Sequence, residues 1–502
     1  MRAVVAGPCD EALAASGSCD EASSHPRATL AATIVGSSLA FIDSSVVNVG
    51  LPAIERDLAS SGASGVSIGW LINAYLLPLG ALVLLGGVAG DRFGRKRIFL
   101  AGIAIFAAAS LGCALAPAFA WLLAARALQG VGAALLVPTS LALLGAAFDG
   151  EARGRAVGTW AAASAITGAI GPLVGGWLVD TVGWRAIFLI NLPVAAIAAG
   201  IAWRKVAESR SSDTVPLDIA GAALATAGLG LLTYGLTLLA ARGAAAAGVD
   251  AATGAIAAGV ACLGGFVAVE RHRKRRAMMP LALFGTRTFV GVSVLTLCLY
   301  AALGGMVVLL PYLLIERGHW SAAAAGAALL PLSVAMGLGS RAAGRLAERV
   351  GTRVPLIAGP LLVAAGFALF LRVDAAAVRY AIDVLPALVL VAVGLTLSVA
   401  PLTAAVIDAV DAGHVGSASG VNNATARIAG LLATALLGYV LVGDAAAPAF
   451  ICRFHGAAVV GAALAIAASA AAFFLCAPVS GSRGRHAPAP TAEPSGRARR
   501  PS

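Results

Sequence analysis

The sequence predicts an all-α membrane protein of fourteen transmembrane helices, built as two six-helix bundles with two extra central helices. Three observations carry this: a strongly apolar composition, fourteen separate apolar stretches of spanning length, and a loop motif that occurs twice.

Of the 502 residues, 60% are hydrophobic and only 12% are charged, with a mean hydropathy of +0.91. A water-soluble domain carries about 25% charged residues. This chain cannot cover a soluble surface, so the lipid bilayer must solvate most of it. The 35 Lys and Arg outnumber the 24 Asp and Glu. They sit in short clusters between apolar stretches rather than as a stripe on a polar domain, so no nucleic acid partner is expected. The seven cysteines show no C-x-x-C spacing, and neither a disulfide framework nor a metal site is expected. The six histidines are scattered through tails, loops and span ends. No phosphate-cradling loop or dinucleotide fingerprint is present, which excludes an ATP-driven pump within this chain and leaves no cofactor expected; an enzyme is disfavoured.

A helix needs about 20 apolar residues to cross the hydrocarbon. Six such stretches fall at 30–54, 67–89, 97–117, 119–146, 156–179 and 186–204. Two follow at 217–240 and 251–270, and six more at 288–312, 322–346, 354–371, 380–407, 415–442 and 455–477. Residues 1–29 are polar and lack the apolar core of a cleaved signal, so a disordered cytoplasmic tail is expected there, and another over 478–502. The expected domains are an N-terminal six-helix bundle (30–204), two inserted helices with a basic inner loop (205–287) and a C-terminal six-helix bundle (288–477). With both termini in the cytoplasm, the large majority of Lys and Arg fall inside, including Arg92, Arg95, Lys96 and Arg97 in one loop and Arg271, Arg273, Lys274, Arg275 and Arg276 in another. Missing one early helix would put one of these clusters outside, against the positive-inside bias, and a multi-pass protein of the cytoplasmic membrane is expected.

The repeat supports the same plan. After the second span the chain reads Gly87-Val-Ala-Gly-Asp91-Arg92-Phe-Gly94-Arg95-Lys96; after the tenth it reads Gly344-Arg-Leu-Ala-Glu348-Arg349-Val-Gly351-Thr-Arg353. Gly, acid, Arg, Gly and the last basic residue align without a gap, 257 positions apart (344 minus 87). Two six-helix halves joined directly would repeat at roughly 200 residues, and two inserted spans supply the excess, as in parallel-repeat transporters.

The first copy, G-x-x-x-D-R-x-G-R-K, resembles the signature loop of the major facilitator superfamily. In such a loop the glycines allow a tight turn and close helix approach, and Asp91 can meet arginines or a helix N-terminus, so the loop can latch the two halves in one state. Gly168, Gly171, Pro172, Gly175 and Gly176 in the fifth span resemble the antiporter motif that the superfamily associates with exporters. Ile42-Asp43-Ser-Ser-Val-Val-Asn48-Val-Gly-Leu51-Pro52 is similar to the first span of the fourteen-helix drug:proton antiporter branch (EmrB/QacA-like). Arg126-Ala-Leu-Gln129-Gly130-Val-Gly132 resembles the superfamily's fourth-span arginine motif, and Trp184-Arg185 through Asn191-Leu-Pro193 and Gly416 through Asn423 extend the likeness. The resemblance, over about residues 30–477, implies a secondary transporter that exports drugs, antibiotics or similar small hydrophobic molecules, coupled to protons. A proton-coupled importer or exporter of a single metabolite or lipid stays open beside it.

Asp43 is the only acid near the middle of a predicted span. A carboxylate in hydrocarbon is costly, so it is expected to face a cavity and to carry the proton. Arg126 lies about eight residues and Asp43 about eleven from the outer ends of their spans, which at about 1.5 Å per residue puts them within roughly 5 Å in depth. A switchable Asp43–Arg126 pair is therefore allowed. Expected cavity residues are Asn48, Trp70, Asn73, Tyr75, Gln129, Tyr234 and Tyr300, together with Arg427, which could bind an anionic group or pair with carbonyls. The second half carries no central acid in its ninth, tenth or thirteenth span, so a neutral, anionic or weakly cationic substrate is expected rather than a dication.

Overall fold

The computed structural model describes residues 25–475, apart from 63–64, 211–217, 243–248, 274–278, 280, 375–377, 411–414 and 442–447. Most of the expected tails, 1–24 and 478–502, therefore lie outside the described residues; the first helix already begins at Pro26. Fourteen helices among the described residues are long and apolar enough to cross a membrane. The first six are α1 (Pro26–Ser61), α2 (Ile68–Phe93), α3 (Arg95–Ala114), α4 (Phe119–Ala147), α5 (Ala152–Thr181) and α6 (Ala186–Lys205). Next come α7 (Ile219–Ala240) and α8 (Ala251–Arg273). The last six are α9 (Arg287–Glu316), α10 (Ala322–Val350), α11 (Arg353–Arg372), α12 (Tyr380–Asp408), α13 (Ala418–Leu441) and α14 (Ala449–Leu475).

Packing repeats with an offset of eight helices. In the first bundle α2 and α3 pack on α4, and α1 packs on α5 and α6; in the last, α10 and α11 pack on α12, and α9 packs on α13 and α14. The two copies of the loop motif make the same turn. Gly94 between α2 and α3 has φ +110° and Gly351 between α10 and α11 has φ +82°, conformations that a side chain disfavours. Helix α7 lies in the seam between the bundles, against α2 and α13, whereas α8 packs chiefly on α7 and turns most of its surface to lipid. At their basic ends Arg273 pairs with Asp218 at 3.0 Å, and Glu270 accepts a hydrogen bond from the Met279 backbone at 2.9 Å.

The halves meet on the side away from the basic loops. There the Asp180 carboxylate at the end of α5 accepts hydrogen bonds from the backbone N–H groups of Ala322 (3.0 Å) and Ala323 (2.8 Å) in the first turn of α10. A helix start leaves such donors unsatisfied and partly positive, so an anion from the other half closes it well. Tyr312 of α9 donates to Glu55 of α1 at 3.0 Å, and Thr434 of α13 donates to Asn73 of α2. The largest apolar core joins both bundles here, through Leu51, Ile54 and Leu71 on one side and Leu309, Leu313 and Leu329 on the other. Toward the basic side α5 and α10 part: Leu338 of α10 is 80% exposed, and a side chain added at Gly158 or Gly337 would meet nothing within 4 Å, whereas α2 and α13 stay close, a side chain on Gly420 reaching Leu84.

Asp180→Ala is expected to loosen this closure by about 1–2 kcal/mol, the worth of a lost helix cap with a charge. Spin labels placed on α5 and α10 at this end would report it as a longer, broader distance distribution. An unchanged distribution would mean that the other contacts hold the halves without this cap.

Candidate functional site

Two features meet near the middle of the first bundle: a closed charge network and a cavity beside it. Successive helical residues point about 100° apart. On α1 this sends Asp43 toward α4 and α6 while Ser44, Val47 and Asn48 line the central space.

Asp43 is fully buried and Arg126 is 1% exposed. An Arg126 Nη1 hydrogen donates to Asp43 Oδ2. Asp43 Oδ1 accepts from Gln129 Nε2 at 2.8 Å and from Asn191 Nδ2 at 3.3 Å. Arg126 also donates to Gln129 Oε1 at 2.7 Å and to the Leu71 carbonyl at 3.2 Å, and its guanidinium lies 4.5 Å from the centre of the Tyr75 ring. Ser110 Oγ accepts from both Gln129 (2.8 Å) and Asn191 (3.3 Å). Arg126 and Gln129, three residues apart, share one face of α4. The carboxylate thus takes donors from two neighbouring helices and the cation is neutralised where it sits, which is what makes burial of both charges tolerable.

The expectation that Asp43 faces a cavity is corrected: the carboxylate is enclosed by α4 and α6, and Arg126 is the member of the pair that borders the cavity. That cavity, of about 200 Å³, lies between α1, α2 and α4 of the first half and α9 and α13 of the second. Asn48, Tyr75, Tyr300 and Arg427 line it with Arg126. The other expected lining residues lie elsewhere. Gln129 is held inside the charge network, and Asn73 is buried at the α2–α13 contact. Trp70 and Tyr234 face each other with ring centres 6.2 Å apart, Tyr234 being 49% exposed, because α7 covers that face of α2. A larger crevice of about 480 Å³ between α9, α11, α13, α14 and the end of α7 is lined almost wholly by apolar side chains and brings no polar groups together.

The signature loop is tied down within the first half. Asp91 pairs with Arg95 at 2.8 Å, Arg92 lies 5.6 Å from the Phe93 ring centre, and Lys96 Nζ donates to the Trp203 carbonyl at 2.9 Å. Glu208 accepts from the backbone N–H of Lys96 (3.0 Å) and Arg97 (3.3 Å), capping α3 beside Gly94. Gly87 lies within α2 against Pro138. Among the described residues no bond from this loop reaches the second half, in keeping with the parted basic side.

In α5 the chain stays helical through Pro172. A side chain at Gly171 would strike Ser45, and one at Gly175 would strike Val46, so these two set the approach of α1. Gly176 faces the Ala322 carbonyl of α10, and Gly326 of α10 faces the Pro172 carbonyl in return. Gly168 has nothing within 4 Å. Sequence reasoning did not assign Asn191, Ser110, Asp180 or Glu208 to these roles. Asn191 was visible as a polar residue opening a predicted span, whereas the partners of Asp180 and Glu208 are distant in sequence and left no local signal.

Two pseudo-equivalent six-helix bundles around a partly polar cavity at mid-membrane define a membrane transporter rather than an enzyme. The chain matches the model of the Major Facilitator Superfamily over residues 33–434 and again over 292–497, and it belongs to that superfamily. It is 34% identical over 417 residues to the multidrug resistance protein Stp of Mycobacterium tuberculosis, covering 82% of this chain and 75% of that protein. It is likewise 34% identical over 436 residues to the cephamycin export protein CmcT of Amycolatopsis lactamdurans, with 85% and 87% covered. Among solved structures it is similar to the D-xylose-proton symporter, with TM-score 0.66 at 15% identity over 91% of this chain and 99% of that one. At that identity the likeness concerns the fold.

Proposed function

We propose that this protein is a proton-coupled antiporter that exports drugs, antibiotics or similar small hydrophobic molecules across the cytoplasmic membrane, with both termini in the cytoplasm. The observation that carries the reading is the buried Asp43–Arg126 pair, whose Arg126 member borders the central cavity while Asp43 is enclosed behind it. The export direction is supported by relatives named for resistance and export and by the small-residue pattern of α5. The concentration of Lys and Arg on the open side supports its being cytoplasmic.

The cycle begins in the conformation described. In it α5 and α10 are parted toward the basic side, and the Asp43 carboxylate, accepting from Arg126, holds that guanidinium against the first bundle. Substrate enters from the cytoplasm, the basic ends close, and the Asp180 and Glu55 contacts on the far side separate. A proton from outside then adds to an Asp43 carboxylate oxygen and cancels the charge that holds Arg126. The guanidinium, without its counter-ion, comes away from the first bundle and the substrate leaves to the outside; the protonated carrier then returns, and Asp43 releases its proton to the cytoplasm and takes up Arg126 again. A proton can shift this equilibrium only through its different affinity for the two states, and an ion pair present in one of them supplies that difference.

Cells lacking their own pumps, loaded with a panel of dyes and antibiotics, provide the test. Wild type is expected to lower accumulation of some panel members in a protonophore-sensitive way, and Asp43→Asn to abolish that sensitivity with normal expression. Full proton-driven efflux by Asp43→Asn would remove Asp43 from the coupling. Gradient-driven uptake in place of efflux would reverse the assigned direction.

A further inference from the structure

The central cavity holds an unbalanced charge. Arg126 borders it, but its cation is satisfied by Asp43. Arg427 of α13 also lines it, half-buried, and makes no ion pair or hydrogen bond among the described residues. No aspartate or glutamate contributes to the lining. The pairing with carbonyls that the sequence left open for Arg427 is therefore not made among the described residues.

Two other polar groups of the lining, Tyr300 and Asn48, also have donors that are little used. The Tyr300 hydroxyl makes no hydrogen bond among the described residues, and the amide of Asn48 reaches only the Ser44 carbonyl, at a long 3.5 Å. Ser44 and Thr434 also line it, each bonded to a carbonyl of its own helix, and the remaining wall is largely apolar, with Leu76, Leu303 and Val307. The stem of Arg427 is held in the α2–α13 seam, its Cβ lying 3.4 Å from where a side chain on Gly80 would begin. A guanidinium at mid-membrane without a partner is costly, and it is kept where a ligand or pathway uses it. Arginine binds carboxylate and phosphate through paired, charge-assisted hydrogen bonds.

We propose that the central cavity takes amphipathic organic anions, an acidic group seated on Arg427 and Tyr300 and an apolar body against α2 and α9. The inference rests on reading this cavity as the transport site. It names a substrate class that neither the fold nor the superfamily specifies.

Full-length protein in lipid nanodiscs, at neutral pH and without a gradient, is titrated with two probes that share a fluorophore. Dansylglycine carries a carboxylate and dansyl-ethylenediamine an ammonium. Wild type is expected to bind the carboxylate probe at least about 10-fold more tightly, the worth of a charge-assisted contact. Arg427→Gln is expected to weaken that probe by roughly 10–100-fold and leave the ammonium probe unchanged or improved. Arg427→Lys keeps the charge and is expected to keep the preference for the anion, which separates a lost counter-ion from a misfolded cavity. Equal binding of both probes by wild type, or a preference for the anion that survives in Arg427→Gln, overturns the proposal. Because binding is read without a gradient, either result leaves proton-driven export standing, whereas failed efflux leaves the charge preference standing.

Discussion

Arg126→Leu is expected to destabilise the first bundle by about 3–5 kcal/mol, the cost of leaving one member of a buried ion pair without its partner. Asp43 would remain in hydrocarbon with only the amides of Gln129 and Asn191 as donors. The Leu71 carbonyl and the Tyr75 ring would each lose the guanidinium as well. Transport should fall to background. The second half of the expectation makes it specific: Asp43→Asn combined with Arg126→Leu should be more stable than Arg126→Leu alone, because no uncompensated charge is left. Denaturant midpoints for wild type, both single variants and the double variant close the cycle. A double variant no more stable than Arg126→Leu would show that Arg126 acts through packing and its carbonyl contact rather than through Asp43. The double variant should still not couple export to protons, so stability and coupling would separate.

Gly176→Val is expected to act on the conformational equilibrium instead. A Cβ at this position would clash with the Ala322 carbonyl and lie 2.6 Å from Ala323 Cα, both backbone atoms of α10. Neither can yield as a flexible side chain would, so α5 and α10 must part at the end where Asp180 caps α10. Overpacking of this kind costs about 1–3 kcal/mol, which shifts a two-state balance by roughly 5–150-fold. The population should move away from the conformation open on the basic side, and export should slow by about 5-fold or more, since that shift removes the state that accepts substrate. Gly200→Val, where nothing lies within 4 Å, serves as the control and should leave export unchanged. Spin-label distances across the basic ends are expected to shorten in Gly176→Val and to stay as they are in Gly200→Val. Unaltered distances in both would show that the α5–α10 contact does not set the balance.

Much of the architecture could be read without coordinates. Spanning length and composition identify all fourteen helices, and the copy of the Gly87–Lys96 loop at Gly344–Arg353 points to the eight-helix offset in packing. The Asp43–Arg126 pair was within reach because both residues are charged, both lie in apolar spans and their depths agree. Tyrosines and tryptophans gave no comparable handle. Tyr75 and Tyr300 line the cavity while Trp70 and Tyr234 pair outside it, although all four lie on apolar spans. Such helices have little amphipathic contrast, because lipid and core are equally apolar, so neither periodicity nor depth says which way a ring turns.

By itself the sequence determined what depends on one residue at a time or on short spacing. The bilayer as solvent follows from composition, the helix count from the length of apolar runs, and the twofold plan from a repeated loop. Only the tertiary structure decided what depends on helix rotation and on partners remote in the chain. It turned Asp43 away from the cavity, placed Asn191 beside it, set Asp180 on the start of α10 and left Arg427 without a counter-ion among the described residues. A rotation of about 100° per residue exchanges lipid, neighbour and cavity, and the energy that chooses among them comes from contacts between segments remote in the chain, such as Asp43 with Arg126 and Asn191.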